Sequence, residues 1–191
     1  QGATTPAPRT QTTPPPAQAP RPQDDRRPPP APPATGAETR DNGVAPTQQL
    51  KSGSLHGPTP ASIPGGRTIT TAELAQLMKD PKSGALVFDV LGGPQTLPNA
   101  YYAAPAAQAG DFNDQVQRDF GNFLQQTTQG RQDRPMVFYC QNSQCWMSYN
   151  AALRAIALGY RQVYWYRGGI EAWQGAGLPV ATRGQGSPPP R

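Results

Sequence analysis

Short apolar runs alternate with amphipathic stretches between residues 67 and 181. Runs that are apolar throughout, as in strands buried on both faces, occupy residues 85–90, 136–139 and 163–166. Between them, apolar side chains recur at helical spacing, in the set Leu74, Leu77 and Met78 and in the set Phe112, Val116, Phe120, Phe123 and Leu124. Strands that alternate with helices predict an α/β fold, a central parallel sheet flanked by helices with right-handed crossovers.

Local signals predict where several helices begin and end. Thr70 and Glu73 have the spacing of a capping box, in which each side chain binds the other residue's backbone N–H. Asp80-Pro81 ends that helix. Ser148 is expected to cap a later helix that ends near Gly159, and a last short helix is expected over residues 170–176.

Composition divides the chain into three parts. Residues 1–66 hold 16 of the 25 prolines, no aromatic residue and only four large aliphatic side chains, Val44, Leu50, Leu55 and Ile63. Such a segment buries too little apolar surface to offset its ordering entropy, so a polyproline-biased and largely disordered tail or linker is expected. Residues 67–181 hold all 15 aromatic side chains and both cysteines and form the domain. Residues 182–191 are a C-terminal tail.

The distribution of charge and the length of the apolar runs argue against a nucleic-acid partner and against a membrane span. The net charge of +5 comes from scattered basic residues, and Asp24-Asp25 adjoins Arg26-Arg27, so no dense cationic run exists for a nucleic acid. The apolar runs are too short to span a bilayer. The sequence thus predicts no nucleic-acid partner and no membrane span. We also expect no cofactor and no resident metal.

The first residue, Gln1, together with a spacer rich in Pro, Thr, Ala and Gln, fits the removal of a secretory signal. We therefore expect a periplasmic protein. In that oxidising compartment the two cysteines can pair.

Cys140 and Cys145 lie on the loop between a buried strand and a helix. There the helix amino end favours an anion and lowers a thiol pKa, which predicts a reactive cysteine site. Such a loop also brings positions five apart to the roughly 5.5–6 Å Cα separation of a disulfide. The remaining residues of this candidate active loop are Gln141, Asn142, Ser143, Gln144, Trp146, Met147 and Ser148.

Several motifs resemble those of rhodanese-like domains, in the same order along the chain. They are the first buried strand with Asp89, the turn Leu97-Pro98-Asn99-Ala100, and the closing motif from Arg167-Gly168-Gly169 to Leu178-Pro179. The resemblance covers roughly residues 67–181 and implies that Cys140 holds the position of the sulfur-accepting cysteine. Asp89 is expected to organise the loops by accepting backbone N–H bonds.

Within that family, the segment Cys145-Trp146-Met147-Ser148 and the following helix are similar to one branch. That branch is the PQQ-dependent catabolism-associated CXXCW motif proteins, exported proteins linked to quinoprotein alcohol oxidation. Here four residues, not two, separate the cysteines. The loop also lacks the glycines and the arginine of an ordinary rhodanese, and Leu91 replaces the arginine that follows Asp89. Thiosulfate would meet few charge-assisted donors, so weak sulfurtransferase activity is expected.

Three functions remain open at this point. The first is an accessory protein of a quinoprotein alcohol dehydrogenase system, which binds its partner through the domain and residues 1–66. The second is a sulfurtransferase or thiol-disulfide enzyme with Cys140 as nucleophile and Cys145 as resolving thiol. The third is Cu(I) binding by Cys140, Cys145 and Met147. His56, the only histidine, lies outside the domain, so no Cys-His pair is expected.

Overall fold

The computed structural model describes residues 36–184 together with Gly2. Its elements, in chain order, are α1 (Gly36–Thr39), β1 (Arg67–Thr68), α2 (Thr71–Lys79), β2 (Leu86–Asp89), β3 (Gln95–Thr96), β4 (Tyr101–Tyr102), a 3-10 helix (Ala104–Ala107), α3 (Gln115–Thr128), β5 (Met136–Tyr139), α4 (Met147–Ala157), β6 (Val163–Tyr166), α5 (Gly169–Gly175) and β7 (Ala181–Thr182).

Five strands form a parallel sheet in the order β1-β6-β5-β2-β4. Every residue of β2 and β5 is buried, as the continuous apolar runs predicted. Phe88, Phe138 and Trp165 lie side by side across the three central strands. This arrangement confirms the predicted α/β class with a central parallel sheet. β3 and β7 form a separate antiparallel pair.

Alternate residues of the central strands face two different apolar clusters. On one side, Phe88 and Phe138 pack with Phe120 of α3 and Tyr149 of α4. On the other side, Val87, Val137 and Tyr139 pack with Leu74 of α2 and with Ile170 and Trp173 of α5. Helices on both faces bury the sheet and leave the carboxyl ends of β2 and β5 at one edge, where the cysteine loop begins.

The helix termini agree with the sequence at α2 and differ at α4. The capping box is present: Glu73 N donates to Thr70 Oγ1 at 3.3 Å, and Thr70 N donates to Glu73 Oε2 at 2.9 Å. Ser148, in contrast, does not cap α4. The helix begins at Met147, and Ser148 falls on the face toward the sheet, where its Oγ accepts from the Trp165 indole at 3.0 Å.

Residues 36–66 belong to the same compact unit as the sheet. Their contacts include Ile63, which is buried in the core, and Thr59, which is fully buried. The expectation of a largely disordered segment up to residue 66 therefore does not hold for residues 36–66. The physical reason is that main-chain hydrogen bonds to the domain, rather than apolar burial, order most of this stretch.

The buried guanidinium of Arg167 is the main anchor of this N-terminal segment. It donates to the carbonyl of Arg40 at 2.6 Å, of Thr59 at 3.0 Å and of Glu38 at 3.2 Å, and also to Thr59 Oγ1 at 3.0 Å. Burial lowers the pKa of Arg167 from its usual value. Glu38 adds a second anchor, because its carboxylate accepts from the backbone and hydroxyl of Thr71.

Removing residues 1–66 should destabilise the domain, because Arg167 would lose all four of these acceptors. A buried charge left without partners costs about 3–5 kcal/mol, so we expect a fall of about 10 °C or more in the thermal midpoint. The matched control is a chain that begins at residue 36, which retains every contact given above and should keep the midpoint of the full chain. Equal midpoints for chains beginning at residues 36 and 67 would contradict the anchoring role.

Candidate functional site

Cys140 and Cys145 form a disulfide across the loop between β5 and α4, with a Cα–Cα separation of 6.3 Å. Each cysteine is only 1% exposed. The pairing predicted from the sequence is thus present. The pair closes a short ring at the carboxyl end of β5, the place where the resemblance puts the sulfur-accepting cysteine.

Polar groups within the ring and at the start of α5 fix the loop. Cys145 N donates to the Asn142 carbonyl at 3.2 Å, and Gln144 N donates to Asn142 Oδ1 at 2.9 Å. From α5, the backbone N–H groups of Ile170 and Glu171 donate to the carbonyls of Cys140 and Gln141, both at 3.0 Å. The N–H groups that start α5 therefore bind loop carbonyls and not an external anion.

Glu171 is a loop-positioning residue that the sequence analysis missed. Its two carboxylate oxygens accept from the side-chain amides of Gln141 and Asn142, each at 2.9 Å. In the sequence, Glu171 is part of the closing motif, and no pattern indicates that its side chain faces the loop. Its carboxylate places negative charge beside the disulfide ring.

The two glycines of the closing motif allow close packing around this loop. Gly169 has φ +66°, and a Cβ there would lie 2.6 Å from the carbonyl oxygen of Cys140. A Cβ on Gly168 would lie 2.5 Å from Glu38 Oε2. Glycine is required at position 169 by both backbone conformation and space.

A segment without regular secondary structure, residues 47–59, which we call the strap, packs against the disulfide loop. His56 is the antiparallel bridge partner of Cys145. Gly57 N donates to the Gln144 carbonyl at 2.7 Å, and Trp146 N donates to the Leu55 carbonyl at 2.8 Å. The only histidine therefore lies beside the cysteine loop through its backbone, an arrangement that sequence analysis did not anticipate.

Side chains of the loop and of α4 bind the strap further. The Trp146 indole donates to the Pro58 carbonyl at 3.1 Å, and the Ser143 carbonyl accepts from Thr59 Oγ1 at 2.6 Å. Asn150 exchanges two hydrogen bonds with the backbone of Lys51, and the Tyr149 hydroxyl does the same with Thr47. Trp146 is thus a packing and strap-binding residue, while Met147 is half-buried against the first apolar cluster.

Asp89 lies at the end of β2, next to the β5 residue that precedes Cys140. Its Oδ1 accepts from the backbone of Leu91 at 2.9 Å and of Gly92 at 3.1 Å, the organising contacts expected from the sequence. Its Oδ2 forms an ion pair with Arg183. Sequence analysis placed Arg183 in the C-terminal tail, because the β3–β7 pairing that brings it to Asp89 leaves no local pattern.

Arg183 also binds the backbone of the turn that follows β2 and packs on β4. Its Nε donates to the Gly93 carbonyl at 2.9 Å, and its guanidinium lies 5.0 Å above the ring centroid of Tyr102. The charge is therefore bound to a buried carboxylate and is not free for a substrate anion.

The two buried arginines of the domain, Arg154 and Arg167, are also held by protein atoms. Arg167 binds the N-terminal segment, as described above. Arg154, fully buried, binds Asp114 and the carbonyls that precede α3. The Arg154 hydrogen bond lowers the pKa of Asp114 to about 2. Both arginines support the structure.

Tyr139, the residue before Cys140, is held in its neutral form. Burial raises the pKa of Tyr139 far above its usual range, and its hydroxyl accepts from Leu97 N at 3.0 Å. Residues 36–184 contain no cluster of three or more His, Cys, Asp or Glu suited to a metal. A groove of about 820 Å³ lies along α3, and none of its lining residues belongs to the cysteine loop.

No helix within the described residues has the length and apolarity needed to cross a bilayer.

Substituting Arg183 by Gln should destabilise the protein, because Asp89 would remain buried without its cation. Since Arg183 is partly exposed, we expect a loss of about 1–3 kcal/mol in the free energy of unfolding. Chemical denaturation measures this loss. The matched control is Arg131→Gln, which breaks the exposed ion pair with Asp133 and should change stability little. An equal effect of both substitutions would contradict a special role for Arg183.

Solved structures similar to this chain include two that are described as phosphatases or possible phosphatases and one that is described as a reductase. A yeast protein tyrosine phosphatase of the rhodanese family is 20% identical, with a TM-score of 0.46, and the match covers 60% of this chain and 88% of that one. A possible tyrosine phosphatase from Rhodopseudomonas palustris is 23% identical, with a TM-score of 0.44 and coverage of 60% and 83%. The As-Sb reductase from Leishmania major is 22% identical, with a TM-score of 0.43 and coverage of 58% and 78%.

No curated protein matches the chain. The model of the rhodanese-like domain family matches residues 70–176, which is more than half of the chain and includes strands β2 to β6, the cysteine loop and most of the closing motif. The protein therefore belongs to the rhodanese-like domain family.

Proposed function

We propose that this protein is an exported accessory protein of a PQQ-dependent, quinoprotein alcohol oxidation system. In this role it binds a protein partner and carries a redox-capable Cys140/Cys145 loop, instead of turning over a sulfur donor. The single observation that supports this choice is the buried disulfide at the position of the sulfur-accepting cysteine.

Sulfur transfer of the ordinary kind requires an accessible thiolate. Here both sulfurs belong to one disulfide, each cysteine is 1% exposed, and the strap lies over the ring. A sulfur donor has no nucleophile to meet in this state. The closed disulfide therefore supports a role without turnover of a sulfur donor.

Electrostatics around the loop also disfavour an anionic sulfur donor. The loop contains no Lys or Arg, and the Glu171 carboxylate is bound to two of its side chains. Arg154, Arg167 and Arg183 are all bound to protein acceptors. The loop itself thus offers thiosulfate a carboxylate and no cation.

The link to quinoprotein oxidation rests on the resemblance of the Cys145-Trp146-Met147-Ser148 segment to its family branch. A periplasmic location is in keeping with a native disulfide, since disulfides persist in oxidising compartments. Because residues 36–66 are bound to the domain, we assign partner capture to residues 1–35, which hold 12 prolines. A proline-rich segment loses little entropy when it docks as an extended strand.

A thiol-disulfide enzyme is the second candidate, because the predicted nucleophile and resolving cysteine are joined. Cys140 would attack a partner's disulfide once the loop is reduced, and Cys145 would then release the partner by re-forming the observed bond. Cu(I) binding by Cys140, Cys145 and Met147 likewise requires prior reduction, since soft metals bind thiolates.

Thiosulfate:cyanide sulfurtransferase activity should be weak or absent. Thiocyanate production is measured for the purified protein, with and without pre-reduction, and for Cys140→Ser as the control for background. We expect the wild type and the variant to give equal rates. Robust thiocyanate production that disappears in Cys140→Ser would overturn the proposal of a non-catalytic role.

The proposed partner should be found by capture from native periplasm under non-reducing conditions. We expect the full chain to enrich a quinoprotein dehydrogenase, identified by mass spectrometry and by its quinone cofactor. A chain that begins at residue 36 is the matched control and should capture less of it. Absence of any quinoprotein from the full-chain fraction would contradict the proposed role, and equal capture by both chains would reject residues 1–35 as the docking segment.

A further inference from the structure

The strap covers the disulfide with very little apolar contact of its own. Among residues 47–59 only Leu50 and Leu55 are large aliphatic side chains, and both are only partly buried. Seven of the thirteen residues are exposed, and only Thr59 is buried. Hydrogen bonds to the cysteine loop and to α4 therefore hold the strap in place.

The two flanks of the strap are anchored far more firmly than the strap itself. On the N-terminal side, the carbonyls of Glu38 and Arg40 bind the buried Arg167. At the C-terminal end, the last strap residue, Thr59, is fully buried, and Ile63 beyond it is part of the core. Segments with few buried apolar contacts open at a lower free energy than the whole domain. The strap can thus lift locally while both ends stay attached.

The strap binds to the stretch of backbone that the disulfide constrains. Gln144, Cys145 and Trp146 supply the main-chain groups to which the strap binds, and the ring between Cys140 and Cys145 holds these groups in position. An effect of one feature on the other must be reciprocal in free energy. Lifting the strap should expose the disulfide, and opening the disulfide should weaken the strap.

We propose that the strap is a gate whose local opening controls reduction of the Cys140–Cys145 disulfide. This inference deepens the redox part of the proposed function. It concerns the isolated chain and does not require the quinoprotein partner.

The chemistry that the gate controls is reduction by a dithiol. With the strap lifted, a thiolate of the dithiol attacks one cysteine sulfur, the Cys140–Cys145 bond breaks, and a mixed disulfide and one protein thiolate form. The second thiol of the reductant then displaces the remaining protein sulfur. The reductant leaves as a cyclic disulfide, and both cysteines become thiols after protonation.

The test is the rate at which excess dithiothreitol reduces the disulfide of the full-length protein under native conditions. Samples are quenched by alkylation, and the two added groups are counted by intact mass. Tyr149→Phe removes the hydroxyl that makes two hydrogen bonds with Thr47, but keeps the ring that packs on Trp146 and Trp165. At about 1 kcal/mol for each of the two bonds, reduction should become about thirtyfold faster.

Tyr160→Phe is the matched control. It removes a buried hydroxyl whose described partner is Thr128 Oγ1, outside the strap and the loop. Its reduction rate should stay within about twofold of the wild type, because one neutral hydrogen bond outside the gate does not alter local opening. A wild-type rate in Tyr149→Phe would overturn the proposal, and so would equal acceleration in both variants, which would indicate reduction through global unfolding.

Amide hydrogen exchange gives an independent readout of the reciprocal effect. Reduction of the wild-type disulfide should lower the protection of the Gly57 and Trp146 amides, which bond across the strap and the loop, while amides of β5 stay protected. Unchanged protection of Gly57 and Trp146 after reduction would reject the coupling. Failure here leaves the capture experiment standing, since that experiment tests the partner and not the gate.

Discussion

Hydrogen bonds from one buried guanidinium, that of Arg167, fix the N-terminal segment in the position where it packs against the cysteine loop. This side chain extends from the end of β6 and binds three carbonyls of the segment that precedes β1. Each carbonyl is drawn to a charge that water cannot reach, and a charge-assisted hydrogen bond is about twice as strong as a neutral one. Arg167 thereby brings a segment with almost no apolar content against the sheet edge where the disulfide lies.

The disulfide makes this member of the family differ chemically from one with a free thiolate. A reactive thiolate would need donors directed at its sulfur. Here N–H groups of α5 bind the carbonyls of Cys140 and Gln141, and Trp146 N binds Leu55 of the strap. These donors are used within the protein, and Glu171 adds a negative charge. The same fold therefore presents a loop closed by a disulfide instead of an accessible thiolate.

The sequence allowed the α/β class, the buried strands, the α2 capping box and the cysteine pair to be predicted, because each leaves a local pattern. Apolar runs mark β2 and β5, and a five-residue spacing marks the disulfide. The strap left no such pattern, since hydrogen bonds of its backbone hold it and nearly any residue can make them. Arg183 and Glu171 were missed because their partners, Asp89 and the loop amides, are distant in sequence. Ser148 was misplaced because its hydroxyl serves the Trp165 indole.

The ion pair between Asp89 and Arg183 has a consequence for where this protein's domain ends. The family match stops at residue 176, yet the counter-ion of the buried carboxylate at the end of β2 comes from residue 183. The cover of the cysteine loop likewise comes from before residue 70. The part of the chain that matches the family model thus depends on polar partners from the segments that precede and follow it. Relatives with the same core can therefore differ in the chemistry of the cysteine loop through their flanking sequences alone, while the sheet and its packing stay unchanged.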